Sequence, residues 1–219
     1  MSYTTHADLG GRPCRDAVAP EPEGKHFHAT WEPRVLALAL AMGATGQWNL
    51  DMSRAARETL PDYDSLGYYG IWFEALVRLI ESRGLANAAE IASGRSNEAP
   101  RALARVLRAG EVDAALARGS PTERAAEMPA RFAPGARVRL RSDVPDHHTR
   151  LPAYVRGKTG VVGRVHGVHV FADAHALGLG ERPQWLYNVV FAAETLWPDT
   201  AAQRSHVSID AWEPYLEPA

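Results

Sequence analysis

The chain has 219 residues, of which 46% are apolar and 23% charged, and its formal net charge is −2. These values are typical of a globular protein that is large enough to bury a core. The longest apolar run, residues 35–44, is about half as long as a membrane-spanning helix requires. The first residues lack the basic and apolar segments of a secretory signal, so we expect a cytoplasmic protein with no membrane partner.

Cysteine and histidine usage limits the chemistry that this chain can perform alone. Its one cysteine, Cys14, excludes an intramolecular disulfide and a thiolate-rich metal site. The nine histidines show no helical metal-ligand spacing, and phosphate-binding glycine loops and a G-x-S-x-G nucleophile elbow are absent. We therefore expect this chain to bind no metal, and nothing near Cys14 marks that thiol as activated.

The N-terminal half begins with a predicted extended arm over residues 1–30, because glycines and prolines occur there without sustained periodicity. Residues 31–128 form a predicted helical domain. Its first helix contains the apolar residues from Val35 to Met42, after Pro33 in the first turn. A second helix is predicted over about 50–60, with Asn49 or Asp51 near its N-cap.

The strongest helical periodicity lies between Asp64 and Arg83, where apolar side chains recur every three or four residues and Gly84 follows as a terminator. This segment predicts a central packing helix. Shorter helices, separated by glycines, are predicted over residues 87–92, 100–109 and 111–118.

After Pro129 the pattern changes from helix to strand. Val138 and Leu140 alternate with arginines, which is typical of a half-buried strand. Further short strands are predicted over residues 160–165, 168–171, 185–191 and 206–209. Residues 129–219 therefore favour a small barrel or roll, and the whole chain is predicted to have an α+β fold with its helices first.

Positive charge is concentrated at the start of this predicted barrel, where residues 131–164 contain eight Lys and Arg residues against two Asp. The segment 155–162, VRGKTGVV, resembles the KOW turn of ribosomal and transcription-factor barrels and favours nucleic-acid binding. The slightly acidic whole chain and the scattered barrel aromatics argue against it. Arg137, Arg139 and Arg141 are equally well explained as a solvated strand face.

A longer set of motifs resembles the β subunit of nitrile hydratase. Residues 146–160, DHHTRLPAYVRGKTG, match that family's G-H-x-R-x-x-x-Y-x-R-G-k-x-G box except at the first glycine, which is His147 here. Further matching segments follow in the family's order at His166–Gly167, Phe171–Ala174, Gly178–Glu181, Leu186–Phe191, Glu194–Trp197 and Asp210–Leu216. The N-terminal matches are Phe27–Glu32, Leu50–Arg54 and Gly67–Trp72. The resemblance runs from about Asp8 onward and is weakest between residues 86 and 128.

The resemblance implies a helical N-terminal part and an SH3-like β-barrel. It also implies an arm that wraps a partner subunit, beginning with a glycine-rich stretch. Asp8-Leu9-Gly10-Gly11 matches that stretch, but the later glycines are replaced by Cys14 and Arg15-Asp16. How the arm docks is therefore left open.

The activity implied by the resemblance is hydration of a nitrile to its amide at a metal held by a separate α subunit. That metal is non-corrin cobalt or low-spin non-heme iron, and two of its cysteine ligands are oxidised to sulfenic and sulfinic acids. Arg54 and Arg150 match the two β-subunit arginines that bind those oxygens. Guanidinium offers fixed, permanently charged donors that lysine does not reproduce. Without the resemblance, a solvated helix face and a loop anchor would explain them.

Tyr68 and Trp72 lie four residues apart on one predicted helix face, a pair that by itself is more typical of a core. The resemblance implies that they line a substrate channel, with Tyr68 hydrogen-bonding near the reacting atoms and Leu50 and Ser53 close by. Ser53 replaces a large apolar residue of the family, and Ile71 replaces a polar one. The size and polarity of the substrate are left open.

Alternatives remain at this stage. A thiocyanate hydrolase shares the chemistry but carries the two halves on separate chains, and a nitrile hydratase activator resembles only the helical half. A nucleic-acid-binding barrel would show salt-dependent RNA or DNA binding. The main prediction is an α–β heterodimer acting on a small nitrile without nucleic acid, and assembly of two such heterodimers is an expectation from the family only.

Overall fold

A computed structural model describes residues 5–10, 16–198 and 205–219, so that Cys14 lies outside the described residues. Two compact units make up the chain. The helical unit is formed mainly by Pro13–Gly119, and the sheet unit by Ser120–Ala219 together with Asp8–Arg12 of the arm. Among the described residues, no helix has both the length and the apolar character that crossing a membrane requires.

Most of the predicted helices are confirmed in the helical unit. They are α1 (Glu32–Ala44), α2 (Leu50–Glu58), α3 (Tyr68–Ser82), α4 (Ala88–Ser93) and α5 (Val112–Arg118). Asn49 is the N-cap of α2, where its side-chain oxygen accepts a hydrogen bond from the Met52 backbone N–H at 2.8 Å. The helix predicted from Asp64 begins four residues later, at Tyr68. The segment before it forms a turn instead, in which the Ser65 and Leu66 N–H groups donate to the Asp62 carbonyl.

The core of the helical unit is formed where α2 and α1 pack against α3. Trp48, Leu76 and Leu79 are buried at its centre. Partly buried apolar residues surround them, namely Met42, Met52, Ala56, Ile80 and Leu85. The apolar residues that recur every three or four positions in α3 therefore form its buried face. Packing of α2 against α3 holds α2 in place.

The helix predicted over residues 100–109 is wrong, because this segment has no helix before a 3₁₀ turn at Ala109–Glu111. A ten-residue helix is marginal in water unless an apolar face packs against a neighbour. Here Val106 is exposed, and the Arg101 guanidinium instead donates to the Arg83 carbonyl at 2.6 Å. The helical propensity of residues 100–109 is therefore outweighed by contacts that this segment makes in a non-helical conformation.

Six antiparallel strands occur in the part of the sheet unit that the structure describes. They are β1 (Glu123–Arg124), β2 (Arg137–Leu140), β3 (Thr159–His169), β4 (Gln184–Ala192), β5 (His206–Trp212) and β6 (Leu216–Pro218). The order is β5-β4-β3-β2-β6, with β1 paired to the far end of β3. Two register shifts interrupt the pairing of β3 with β4, and two short helices, α6 (Ala172–Ala176) and α7 (Ala193–Leu196), lie in the connections.

The alternation predicted around Val138 and Leu140 is confirmed, since both side chains are fully buried while Arg137, Arg139 and Arg141 are exposed. These two residues pack with Val155, Tyr187 and Phe191 in the core of the unit. Within the described residues no pairing joins β5 to β6, so the sheet is not closed. The helix-first α+β architecture is confirmed, and the SH3-like barrel stays a prediction.

Candidate functional site

Arg54 lies in the middle of α2 and extends toward solvent. Its side chain is 40% exposed, and one guanidinium nitrogen lies 3.3 Å from the carboxylate of Asp51, one turn earlier. Asp51 is buried at the start of the helix, where a negative charge also suits the helix dipole. The helix therefore fixes the base of Arg54, while about two-fifths of its side chain stays accessible.

A depression in the helical unit is lined by two of the predicted site residues, Ser53 and Trp72. It encloses about 250 Å³ of space that is open to solvent. Arg57 also lines it, with the guanidinium carbon 4.6 Å from the centre of the Trp72 ring and Nε donating to the Ser53 carbonyl at 3.2 Å. The remaining lining residues are Ala39, Trp48, Ala75, Leu76 and Leu79. The depression thus combines aromatic and apolar walls with one cation.

Sequence patterns did not single out Arg57, although its four-residue spacing from Ser53 places both residues on one face of α2. Burial lowers the pKa of the Arg57 guanidinium, and the nearby charge of Arg54 lowers it further. Arginine nevertheless stays charged in proteins. The cation is therefore a permanent feature of the depression.

The aromatic residues at the start of α3 form a cluster. The Tyr68 ring lies 5.8 Å from the Trp72 ring, centre to centre, and 5.1 Å from that of Tyr69. Tyr68 is 65% exposed, so its ring covers the outside of the cluster and does not belong to the core. Phe27 contacts Tyr69 from the preceding segment at 5.3 Å.

Leu50 and Ile71 do not line this depression. Leu50 is the first residue of α2 and is 46% exposed, whereas Ile71 is half-buried in the first turn of α3. The structure therefore brings together Ser53 and Trp72, with Tyr68 against Trp72, and places Leu50 on the surface at the end of the same helix.

Arg150 belongs to the sheet unit and lies in a segment without regular secondary structure, where its residue is exposed. Side chains hold the backbone on both sides of it. The Arg150 N–H donates to the Tyr215 hydroxyl at 3.1 Å, and the Leu151 carbonyl accepts from the Arg156 guanidinium at 2.9 Å. The Leu151 N–H donates to the Thr149 hydroxyl at 3.3 Å. The loop is therefore fixed despite having no strand or helix.

A buried carboxylate lies behind this loop. Asp173, on α6, accepts a hydrogen bond from the hydroxyl of Tyr215, and both residues are at most 5% exposed. Burial raises the pKa of Asp173, while the hydrogen bond that it accepts from Tyr215 acts in the opposite direction. Burial and the adjacent Asp173 charge both raise the pKa of the Tyr215 phenol, which therefore remains a donor. The sequence analysis missed this pair, because the two residues lie 42 positions apart.

The first part of the arm packs on the same loop region. The Asp8 carboxylate accepts the Ala153 N–H at 2.8 Å and lies 3.9 Å from the Arg156 guanidinium. Gly10 lies against the ring of Tyr154, so closely that a Cβ there would come within 2.6 Å of it. Tyr154 in turn stacks on Trp197 at 5.6 Å between ring centres. These contacts explain why the arm needs both an acid and a glycine here.

Comparison with known proteins decides the family. The protein-family model described as "Nitrile hydratase beta subunit, N-terminal" matches residues 3–126. A second family model, described as "Nitrile hydratase beta subunit, C-terminal", matches residues 121–218. The chain belongs to the nitrile hydratase β-subunit family. The resemblance drawn from the sequence motifs is thereby confirmed.

Relatives of known name cover nearly the whole chain. The low-molecular weight cobalt-containing nitrile hydratase subunit β of Rhodococcus rhodochrous is 36% identical, with 97% of this chain matching 98% of the relative. The nitrile hydratase subunit β of Pseudomonas putida is 33% identical with the same coverage. The thiocyanate hydrolase subunit α of Thiobacillus thioparus is 36% identical, but the match covers only 41% of this chain and 72% of the relative.

The basic strand β2 favours a solvated face over a nucleic-acid site. Arg139 pairs with Glu217 at 2.9 Å, and Arg141 binds both carboxylate oxygens of Asp143 at 2.7 and 2.6 Å. The hydrogen bonds to Asp143 raise the pKa of Arg141. Two of the three alternating arginines, Arg139 in the strand and Arg141 just after it, are therefore already paired with carboxylates.

No group of three or more His, Cys, Asp or Glu side chains that could hold a metal ion occurs in the described ranges. What these ranges do offer to a nitrile hydratase centre is guanidinium, phenol and indole groups. Guanidinium is the donor that suits an oxidised-thiol oxyanion. These donors are therefore suited to binding an anionic oxygen acceptor.

Proposed function

We propose that this chain pairs with a separate α subunit and that the complex hydrates a nitrile to the amide. The observation that carries the proposal is the match of both β-subunit family models, end to end, on one chain. A thiocyanate hydrolase subunit matches less than half of the chain, which favours the nitrile hydratase assignment. The name of the Rhodococcus rhodochrous relative supports cobalt as the metal of the complex.

In this proposal, Arg54 and Arg150 bind oxygens of oxidised cysteines on the α subunit. Arg54 is suited to this, since Asp51 is its one hydrogen-bonding partner in the described chain and that contact is long, at 3.3 Å. Donor groups remain on its guanidinium for an external acceptor. Arg150 is exposed and lies in a loop whose backbone is held by three hydrogen bonds, one at Arg150 and two at Leu151.

The residues of α2 and α3 would bind and orient the nitrile. The exposed Tyr68 hydroxyl is able to donate a hydrogen bond to a substrate or to the attacking water, while Trp72 and Ser53 form a wall beside it. Arg57 adds a positive charge to that wall, which favours nitriles that carry an electron-rich or anionic group. A metal held by the partner would supply Lewis-acid activation of the nitrile.

We also propose that the sheet unit corresponds to the SH3-like barrel that the resemblance implies. The length of β3 supports this, because β3 pairs with β4 along one edge and with both β2 and β1 along the other. Its two register shifts are the kind of irregularity that bends a strand strongly. A crystal structure of the complex in which the sheet stays open, with no backbone hydrogen bond joining β5 to β6, would contradict the proposal.

Co-expression with a nitrile hydratase α subunit tests the function. We expect the two chains to copurify, and we expect amide formation from a simple nitrile to require both chains. Either subunit expressed alone is the matched control. Amide formation that is unaffected by omitting this chain, or salt-dependent RNA binding without association with an α subunit, would contradict the proposal.

A further inference from the structure

The hydroxyl of Tyr215 has three hydrogen bonds, which is all that a phenol can form. It donates to Asp173, and it accepts from the Arg150 N–H at 3.1 Å and the Thr149 hydroxyl at 3.3 Å. A hydroxyl has one proton and two lone pairs. Because the proton points to Asp173, both lone pairs face the Thr149–Arg150 segment, and the orientation of the hydroxyl is fixed.

Burial makes this arrangement costly to disturb. Tyr215 is 4% exposed, Asp173 is 5% and Thr149 is 8%. A buried polar group that loses its partner keeps its full desolvation cost, so each member has a strong preference for the complete network. The network therefore defines one backbone position for Arg150.

The backbone of Arg150 is not held in place by a helix or a strand. The described residues from 141 to 152 lie in no helix or strand. Loops of this kind are usually the most mobile parts of a domain. Here the hydroxyl of the buried Tyr215 accepts the Arg150 N–H, which in a sheet would pair with a neighbouring strand.

We propose that Asp173 and Tyr215 are positioning residues for Arg150, which hold its backbone so that the guanidinium is presented in one place to the partner's oxyanion. This inference rests on the proposed function of Arg150. Neither residue is expected to touch the substrate. Both are expected to act only through the Arg150 main chain.

The same sheet unit contains a matched reference pair. Tyr187 is fully buried, its hydroxyl donates to the Glu213 carboxylate, and it accepts a backbone N–H at 3.1 Å. The accepted N–H is that of Arg131 and not that of Arg150. Replacing either tyrosine with phenylalanine removes a buried hydroxyl that donates to a carboxylate and accepts a backbone N–H. The Tyr215 hydroxyl also accepts from Thr149, the residue before Arg150. A difference between the two variants therefore reports on the segment that contains Arg150.

The experiment compares Tyr215→Phe, Tyr187→Phe and Arg150→Lys in the co-purified α–β complex. For Tyr215→Phe we expect kcat to fall by about tenfold with KM changed less than about twofold, as for loss of an outer-shell contact. Amide hydrogen exchange should become faster in peptides that contain Arg150. For Tyr187→Phe we expect kcat within about twofold of wild type and faster exchange around Arg131 instead.

Equal kcat values for the two phenylalanine variants, or unchanged exchange at Arg150 in Tyr215→Phe, would overturn the inference. If Arg150→Lys keeps full activity, the proposed function of Arg150 itself fails. If Arg150→Lys is impaired and Tyr215→Phe is not, only the positioning role fails.

Asp173→Asn provides a second route should Tyr215→Phe not assemble. The amide oxygen still accepts the Tyr215 hydroxyl, so a milder loss of kcat, of about two- to threefold, is expected together with faster exchange at Arg150. Wild-type exchange at Arg150 in Asp173→Asn combined with wild-type kcat would overturn the inference.

Discussion

Arg54 and Arg150 are presented by two different kinds of structure. Arg54 lies inside a capped nine-residue helix that packs on α3, and its own contact to Asp51 is within that helix. Arg150 lies in an irregular loop whose position depends on buried side chains from elsewhere in the sequence. Arg54 is therefore positioned by its local sequence, whereas Arg150 is positioned by tertiary contacts. Substitutions should therefore affect the two sites unequally.

The largest effect on stability is expected from Asp173→Leu. The change removes the acceptor of the buried Tyr215 hydroxyl and leaves that donor unsatisfied. We expect the free energy of unfolding to fall by about 2–3 kcal/mol, measured by denaturant unfolding of the full chain. A loss no larger than that caused by removing the α2 cap would contradict the claim that the loop depends on the network.

Gly10→Ala should disturb the arm that supports the same loop region. The new Cβ would come within 2.6 Å of the Tyr154 ring, so the arm must move and the Asp8–Ala153 hydrogen bond weakens. We expect a loss of about 1–2 kcal/mol and faster proteolysis in the arm. Gly43→Ala in α1 is the control, since nothing lies within 4 Å of its Cβ position. Equal effects of the two variants would refute the close packing.

Asn49→Ala tests the helical side of the comparison. The substitution removes the side-chain acceptor of the Met52 N–H at the start of α2. We expect a loss of about 1 kcal/mol in the free energy of unfolding and a local increase in exchange in the first turn. Faster amide exchange at Arg150 in this variant, without faster exchange in α2, would contradict the conclusion that the cap acts locally on the helix that carries Arg54.

The smallest expected effect is a pH dependence at Asp173. Because burial raises its pKa, the folded chain holds this proton to a higher pH than the unfolded chain, and the group's contribution to stability falls as the pH rises through that window. Asp173→Asn removes the titration. From about pH 4 upward, the free energy of unfolding of the variant should therefore rise relative to wild type, by less than about 1 kcal/mol. A relative fall would show that the Asp173 carboxylate is instead stabilised in the folded chain, by the hydrogen bond from Tyr215 and by the neighbouring His147 and His148.

Much of the fold and part of the site follow from local sequence patterns. The apolar spacing in α3 and the alternation around Val138 identify elements that the structure contains, and the Ser53, Tyr68 and Trp72 side chains lie on the helices that these patterns predict. The two-residue strand β1 and the three-residue strand β6 were missed, because strands this short carry no periodicity.

The remaining features depend on contacts between distant residues. Asp173 and Tyr215 are separated by 42 positions, and no local pattern indicates that one donates to the other. The 100–109 segment has helical composition, but its arginines contact other parts of the helical unit. Arg57 was within reach of a helical-face argument, yet its stacking on Trp72 depends on how α2 packs against α3.

The central claim is that Arg54 and Arg150 act together in the α–β complex as fixed guanidinium donors. The most direct measurement is kcat/KM for nitrile hydration with Arg54→Lys and Arg150→Lys, compared with Arg78→Lys on α3 and Arg139→Lys on β2. Because lysine keeps the charge but loses the forked geometry, each of the first two variants should lose at least about tenfold, while the controls stay within about twofold of wild type. Full activity in both Arg54→Lys and Arg150→Lys would contradict the account.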